Sequence, residues 1–264
     1  MRIIVCVKQV PDTTEVKINP ETNTLIREGV ESIVNPFDLH AVEEALKIKE
    51  NVGSGEVIAI SMGPPQAKDA LKETIAMGVD KAYLLSDTEF AGADTLATSY
   101  TLSMAIRKIA DFDLIICGKQ AIDGDTAQVG PGLAGHLDIP QIAYVRKIEK
   151  IDKTSVMVQR ITEDGYEIIE TPLPALLTVV KDINIPRLPT LRGKLISKKV
   201  EIPILTHHDI RTDSDRIGLS GSATLVIKIF SPEIKKDSKI FKGDLESSVN
   251  KVADALKEIL EHIK

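Results

Sequence analysis

Residues 114–131 read Leu-Ile-Ile-Cys-Gly-Lys-Gln-Ala-Ile-Asp-Gly-Asp-Thr-Ala-Gln-Val-Gly-Pro. The first four, bounded by Asp113 and Gly118, have the length and flanks of a buried strand. From Gln128 to Leu137 apolar residues recur at helical spacing. A small polar loop therefore leads from the C-terminal end of a strand into a helix, where open α/β sheets bind ligands. The helix start offers unpaired amides and the positive end of its dipole, which suits a phosphate. Thr126 and Gln128 add side-chain donors. Asp123 and Asp125 sit badly beside a phosphate; they either cap the helix or accept from ribose hydroxyls. The loop is neither a Walker A motif nor G-x-G-x-x-G, so it also reads as a capped turn without a ligand.

The rest of the composition fits such a sheet. The chain has 264 residues, enough for one large or two modest domains. Hydrophobic residues make up 43% and aromatics only 3%, with no Trp. A Val, Ile, Leu and Ala core suits parallel strands covered by helices. A net charge of −6 argues against a nucleic-acid surface. Cys6 and Cys117 fall inside apolar strand patterns, which favours burial over redox or metal roles. No metal set is expected, and His207-His208 reads as a surface pair. No triad suggests nucleophilic catalysis, so no catalytic residue is assigned. No signal peptide opens the chain and no apolar stretch reaches membrane-spanning length, so a cytoplasmic protein is expected.

Working outward, strands are predicted over 2–8, 56–61, 81–85, 114–117 and 142–149, with helices over 37–50, 66–77, 93–109 and 128–137. This βαβα rhythm implies right-handed crossovers and a doubly wound sheet. Segments 16–18 and 24–27 flank Asn19-Pro20-Glu21-Thr22-Asn23 as a hairpin-like excursion. Past residue 150 the pattern changes. Segments 154–160 and 166–170 form a hairpin around Glu163-Asp164-Gly165, and 174–180 is a further strand. From Asn184 to Pro203 the chain is basic, holds three prolines and has no strong period, so an extended arm or exposed loop is expected. A final amphipathic helix over 249–263 carries Val252, Leu256, Ile259, Leu260 and Ile263 on one side.

Loops 8–12, 61–66 and 118–128 converge at strand ends and, with Asn35-Pro36-Phe37-Asp38, ring one crevice that fits an adenine nucleotide. Asn35–Asp38 also reads as a plain helix entry, with Asn as cap and Pro at the first position. At Phe90–Ser99, Asp94 or Thr95 caps a helix, or the small residues let a flat ligand approach the backbone. Arg187–Lys199 is either a solvated charged loop or a mobile arm with Leu191 as a docking knob.

Taken together, these residues resemble the β (small) subunit of electron transfer flavoproteins. The motifs are Val5-Cys-Val-Lys-Gln-Val-Pro-Asp12, Asn35–Asp38 with Ala41-Val-Glu-Glu-Ala45, Ser61-Met-Gly-Pro-Pro-Gln66, Ala76-Met-Gly78 and Gly118–Pro131. Val158–Glu167 leading into Pro174–Thr178, and Arg192-Gly-Lys194, complete the set. The resemblance weakens only after about residue 205. It implies an α/β fold: a three-layer, doubly wound, mostly parallel sheet like that of adenine-nucleotide α-hydrolases, with a β-hairpin addition and an extended C-terminal arm ending in a helix. Residues 1–185 would form the nucleotide- or flavin-binding domain, and 186–264 the docking loop and arm.

The resemblance also implies a heterodimer with an α subunit that carries an FAD. In single-flavin members the β subunit binds a structural AMP. In bifurcating members the same site holds a second FAD that takes a hydride from NADH and sends one electron uphill and one downhill. Gly92–Ser99 resembles the bifurcating type, so FAD is expected over AMP. By the same resemblance the cofactor-binding positions are Cys6, Asn35, Phe37, Asp38, Met62, Asp94, Thr95, Thr98, Gly118, Gln120, Ala121, Asp123, Gly124, Asp125, Thr126, Ala127, Gln128 and Val129. Leu191 and Arg192 would dock an acyl-CoA dehydrogenase or related flavin dehydrogenase, and ferredoxin or flavodoxin would take the other electron. The protein itself would act as an electron carrier, oxidising NADH only within the heterodimer. The rival readings are a purely structural AMP subunit and a nucleotide-sensing domain of the universal-stress type. The latter, like an ATP-pyrophosphatase, needs a Gly-rich phosphate loop near the first strand or late in the sheet, and Lys8–Asp12 is not one.

Overall fold

A nine-stranded sheet forms the centre of the chain in a computed structural model that describes residues 1–12, 32–109, 111–227 and 238–262. In chain order the elements are β1 (Arg2–Cys6), β2 (Gln9–Pro11), β3 (Ser32–Val34), α1 (Pro36–Val52), β4 (Glu56–Met62), α2 (Lys68–Met77), β5 (Lys81–Leu85), α3 (Thr95–Ile109), β6 (Leu114–Gly118) and α4 (Val129–Leu137). There follow β7 (Gln141–Ile151), β8 (Ser155–Thr162), β9 (Gly165–Pro172), β10 (Ala175–Val179), α5 (Leu191–Lys199), β11 (Ile204–Leu205), α6 (His207–Ile210) and α7 (Leu245–His262). The sheet order is β11-β5-β4-β1-β6-β10-β7-β8-β9. The pairs from β11 to β7 are parallel, and β7-β8-β9 continue antiparallel.

The apolar runs explain the layers. Successive side chains of a strand point to opposite faces. Ile3 and Val5 of β1 lie in one core with Val42, Leu46 and Leu71 from α1 and α2. Ile4 and Cys6 lie in the other with Tyr100, Ile106 and Leu133 from α3 and α4. Strands buried on both faces need no polar alternation, which is why four- and five-residue hydrophobic runs mark them. This is the three-layer α/β sheet that the rhythm predicts. The predicted hairpin is β8–β9, paired from Ser155↔Pro172 to Thr162↔Gly165.

Two expectations are corrected. Residues 184–203 are not extended throughout, because 191–199 form helix α5. Pro186, Pro189 and Pro203 flank this helix rather than interrupt it. The Thr190 hydroxyl caps it by accepting from the Gly193 amide at 2.9 Å. Helix α5 packs on α2, and a Cβ on Gly193 would strike the Ala76 carbonyl. The last helix begins at Leu245 rather than Val249, since Asp244 accepts from the Ser247 amide at 2.9 Å and starts the turn early. Ile263 and the excursion around Asn19–Asn23 lie outside the described residues.

By its internal contacts the chain forms two compact units, Met1–Ile227 and Lys228–Lys264. Among the described residues, no helix is long and apolar enough to cross a membrane.

Candidate nucleotide site

The C-terminal ends of β1, β4 and β6 lie side by side in the sheet, and the turns leaving them form the crevice. Loop 119–128 is its most unusual wall. Asp125 and Ala127 both take left-handed backbone angles, φ 50° and 54°. Non-glycine residues adopt this region seldom, and such strain gathers at binding sites. No side chain caps α4, whose preceding residue is Gln128. Its first-turn amides therefore lack both an intrahelical partner and a cap. Gly130 lets this turn sit on the sheet, since a Cβ there would lie 2.6 Å from the Thr178 methyl.

The two acids do not cap the helix. Asp123 pairs with the Lys8 ammonium at 2.7 and 2.8 Å. Asp125 accepts from the Gln120 side-chain amide at 2.6 Å. The Asp123 charge is thus balanced by a cation, whereas Asp125 keeps its charge beside a neutral amide. Lys8 falls inside the Val5–Asp12 motif but carries no assigned role there; its signal is a cation directly after the first strand.

Asn35 organises the other wall. Its side-chain amide donates to the Gln120 carbonyl at 2.9 Å, and its oxygen accepts from the Ile122 amide at 3.2 Å. It follows that Asn35 does not cap α1 through its side chain; it pins loop 119–128 instead. Phe37 stands one residue into that helix, with the Lys181 ammonium 4.8 Å from its ring centre. Asp38 is buried and accepts from the Lys8 amide at 2.7 Å. Burial pushes its carboxyl up to about 7, against the pull of the Lys8 amide, the Asn35 side chain and the Gly118 amide. Gly118 has to be glycine here: a Cβ would run into the Asp38 carboxylate and lie 2.7 Å from the Phe37 Cβ.

That raised value predicts a pH dependence. The folded form holds the Asp38 proton up to about 7, while the unfolded chain releases it near 4. Stability from this group is therefore full below pH 4 and falls as pH rises towards 7, by up to about 1.4 kcal/mol per pH unit. Denaturation midpoints across pH 4–8 should show this slope, and Asp38→Asn should lose it. An equal slope in both proteins would refute the assignment.

Cys6 and Cys117 face each other across β1 and β6, both free and buried. The hydrogen bond with Cys6, then burial, drives the Cys117 thiol well above its ordinary value, so it stays protonated. Met62 ends β4 half-buried. At the end of loop 119–128, the Thr95 hydroxyl donates to the Gln128 side-chain oxygen at 2.8 Å. Thr98 lies one turn further along α3, half-buried. Asp94 caps α3, accepting from the Leu96 and Ala97 amides at 2.9 and 3.0 Å. Its other oxygen accepts from the Thr224 amide and hydroxyl at 2.9 and 3.0 Å. Burial alone would raise its carboxyl; the Ala97 and Thr224 bonds outweigh that and hold it below the ordinary range.

The structure thus brings together the positions from Cys6, Asn35–Asp38, Met62, Asp94–Thr98 and Gly118–Val129 at one end of the sheet. Leu191 and Arg192 stand apart from them, both exposed at the start of α5. The neighbouring segment is tied down by Arg187, which bonds Glu43 and Glu50 of α1. The spacing Glu43-x6-Glu50, two acids on one helix face, was the signal for that contact. His207 is likewise engaged: its Nδ1 lies 2.8 Å from the Asp87 carboxylate.

Residues 22–209 match the electron transfer flavoprotein domain. The chain is 52% identical over 257 residues to the electron transfer flavoprotein subunit beta of Thermoanaerobacterium thermosaccharolyticum, covering 97% of this chain and 98% of that one. It is 50% identical to subunit CarD of the caffeyl-CoA reductase-Etf complex of Acetobacterium woodii, covering 97% and 96%. It is 41% identical to protein FixA of Azorhizobium caulinodans, covering 97% and 92%. With a match of this extent, and a fold and sheet-end crevice of the expected kind, the chain belongs to the electron transfer flavoprotein family, among its beta subunits.

Proposed function

We propose that this subunit binds FAD in the crevice at the ends of β1, β4 and β6, and works in a heterodimer with an electron transfer flavoprotein α subunit. One observation carries the choice of FAD over AMP: the Thr95–Gln128 hydrogen bond. It sets the start of α3 directly against Gln128 at one end of loop 119–128, while Asn35 holds the other end through Gln120 and Ile122. A mononucleotide spans Asn35–Asp38 and Met62 at its base and Thr126–Val129 at its phosphate. Residues 94–98 form a further wall beyond the phosphate, which suits a dinucleotide's second half.

In this reading the amides of Val129 and Gly130 and the side chains of Thr126 and Gln128 hold the phosphates. Asn35, Phe37, Asp38, Met62 and the main chain near Cys6 line the adenosine end. Gly118, Gln120, Ala121, Asp123, Gly124, Asp125 and Ala127 shape the loop around the pyrophosphate. Thr95 and Thr98 border the flavin, with Asp94 setting their helix. FAD, when bound, supplies hydride acceptance from NADH and one-electron transfer; the chain's part is to orient it and exclude water. No side chain is asked for acid–base catalysis. The name of the Acetobacterium woodii relative, a reductase-Etf complex subunit, supports the same direction. Leu191, 77% exposed, and Arg192 present the surface for a flavin dehydrogenase. A ferredoxin or flavodoxin serves as the other acceptor, in the cytoplasm.

The test is a cofactor count on the heterodimer co-purified with its α subunit. Two FAD per heterodimer is the expected result; one FAD and one AMP would establish the structural-AMP reading instead. Thr126→Val combined with Gln128→Leu should empty the β site and leave the α-subunit flavin in place. Full stoichiometry in that double variant would reject the phosphate assignment.

A further inference from the structure

The crevice is built mainly from the first half of the chain, yet one of its walls is held by residues 130 positions later. Asp94 uses only one carboxylate oxygen to cap α3. The other is spent on the amide and hydroxyl of Thr224. The Asp94 amide in turn donates to the Ser222 hydroxyl at 2.8 Å. Ser222 closes its own turn, donating to the Gly218 carbonyl at 2.7 Å and approaching that of Gly92 at 3.3 Å. A helix cap needs one acceptor oxygen; capping leaves the second unexplained.

The 216–224 turn is fitted tightly to the start of α3. Ile217 is buried in the core of that face, and the Arg216 guanidinium lies 3.9 Å from the Tyr100 ring centre. Gly218 has φ +54°, and a Cβ on it would strike the Glu89 carbonyl. Leu219 sits over Gly92, where a Cβ would come within 3.3 Å of it. Directly after the Thr224 contact, Leu225, Val226 and Ile227 are 68%, 74% and 88% exposed. There the first compact unit ends and residues 228–264 begin. On the other side of Asp94, the next residue, Thr95, bonds Gln128 at the phosphate loop. A continuous series of bonds thus runs from Gln128 through Thr95 and Asp94 to Ser222 and Thr224.

We propose that Asp94 is a positioning residue that joins the mouth of the nucleotide crevice to the 218–224 turn, so that filling the crevice and ordering that turn favour one another. This rests on the crevice holding a nucleotide. A ligand that fixes Gln128 and Thr95 fixes the first turn of α3, and with it the acceptor that Thr224 needs. The coupling is reciprocal: fixing residues 222–224 pre-forms the wall and tightens nucleotide binding by the same factor.

The test uses the purified heterodimer, gel-filtered to deplete the β site and titrated with FAD and, separately, AMP. Ser222→Ala with Thr224→Val leaves every crevice residue and the α3 cap in place. It should weaken nucleotide binding about fivefold, the lower end of measured site–site couplings. Amide exchange supplies the readout that a merely structural contact would not move. In the parent protein, nucleotide should slow exchange at 218–227 as well as at 95–98 and 128–130. In the double variant the slowing should stop at the crevice. Thr224→Ser, which keeps the hydroxyl, should restore the parent's behaviour. A parent that takes up neither nucleotide would overturn both the crevice reading and the coupling. A parent that binds, beside a double variant with equal affinity and an unchanged exchange pattern, would overturn the coupling alone.

Discussion

Replacing Arg187 with methionine should lower the chain's stability by about 3 kcal/mol, the lower end for breaking a buried pair by removing one partner. The Glu43 side chain is 5% exposed and accepts from the Arg187 amide at 3.0 Å, its Nε at 2.8 Å and its Nη2 at 3.2 Å. Methionine keeps the stem's bulk but leaves that carboxylate buried without a cation. Glu50 is more than half exposed, so its own pairing with Arg187 contributes under about 1 kcal/mol. Nearby, the Asn184 side-chain amide donates to the His40 carbonyl at 3.0 Å and to Glu44 at 2.9 Å. It holds one end of the segment while the other is released, so the loosening should centre on residues 186–190. Urea denaturation of the single variant and of Arg187→Met with Glu43→Gln decides the matter. The double variant should recover much of the loss, because the stranded charge is gone. A single variant with an unshifted midpoint would show that Glu43 finds other partners.

Gly118→Ala should destabilise the site end of the sheet by the addition of a single methyl group. Its Cβ would meet the Asp38 carboxylate and come within 2.8 Å of the Phe37 carbonyl carbon, and the latter is backbone that cannot swing aside. Overpacking of this kind costs about 2 kcal/mol, or roughly 4–8 °C in melting temperature for a unit of this size. Because the displaced turn is the start of α1, nucleotide retention should fall together with stability. Gly124→Ala is the control: nothing stands within 4 Å of its Cβ, so its melting temperature should match the parent's. Equal melting of both variants would mean that α1 yields easily and that the close approach at Gly118 constrains little.

The centre of the sheet was legible because its strands are buried on both faces. Runs such as Ile3–Val5 and Leu114–Cys117 need no tertiary information to be recognised. The strand-to-helix loop after Gly118 was legible for the same reason, since both flanks are strongly patterned. Helix α5 was not. Its sequence, Leu-Arg-Gly-Lys-Leu-Ile-Ser-Lys-Lys, has good helix formers but little apolar period, and three surrounding prolines suggested extension. Thr190 three residues ahead of Gly193 was the available signal. Asp94 shows a different limit. Sequence alone offered capping or ligand approach, and the carboxylate's second task, binding Thr224, joins positions that no local window connects. Lys8 and Asp123 are as far apart in the chain, and so are Arg187 and Glu43. Local patterning sets the layers, whereas the site's electrostatics are written in long-range pairs.

Helix α7 has a practical implication. Leu245, Val249, Val252, Leu256 and Leu260 are between 42% and 83% exposed, a stripe of oily side chains left wet along some five turns. Soluble monomers seldom tolerate such a stripe. In the proposed heterodimer, chain made in excess of the α subunit would stick to itself or to chaperones, so the two subunits are best expressed at matched levels. Yield from unbalanced expression would be limited by aggregation rather than by folding of the sheet.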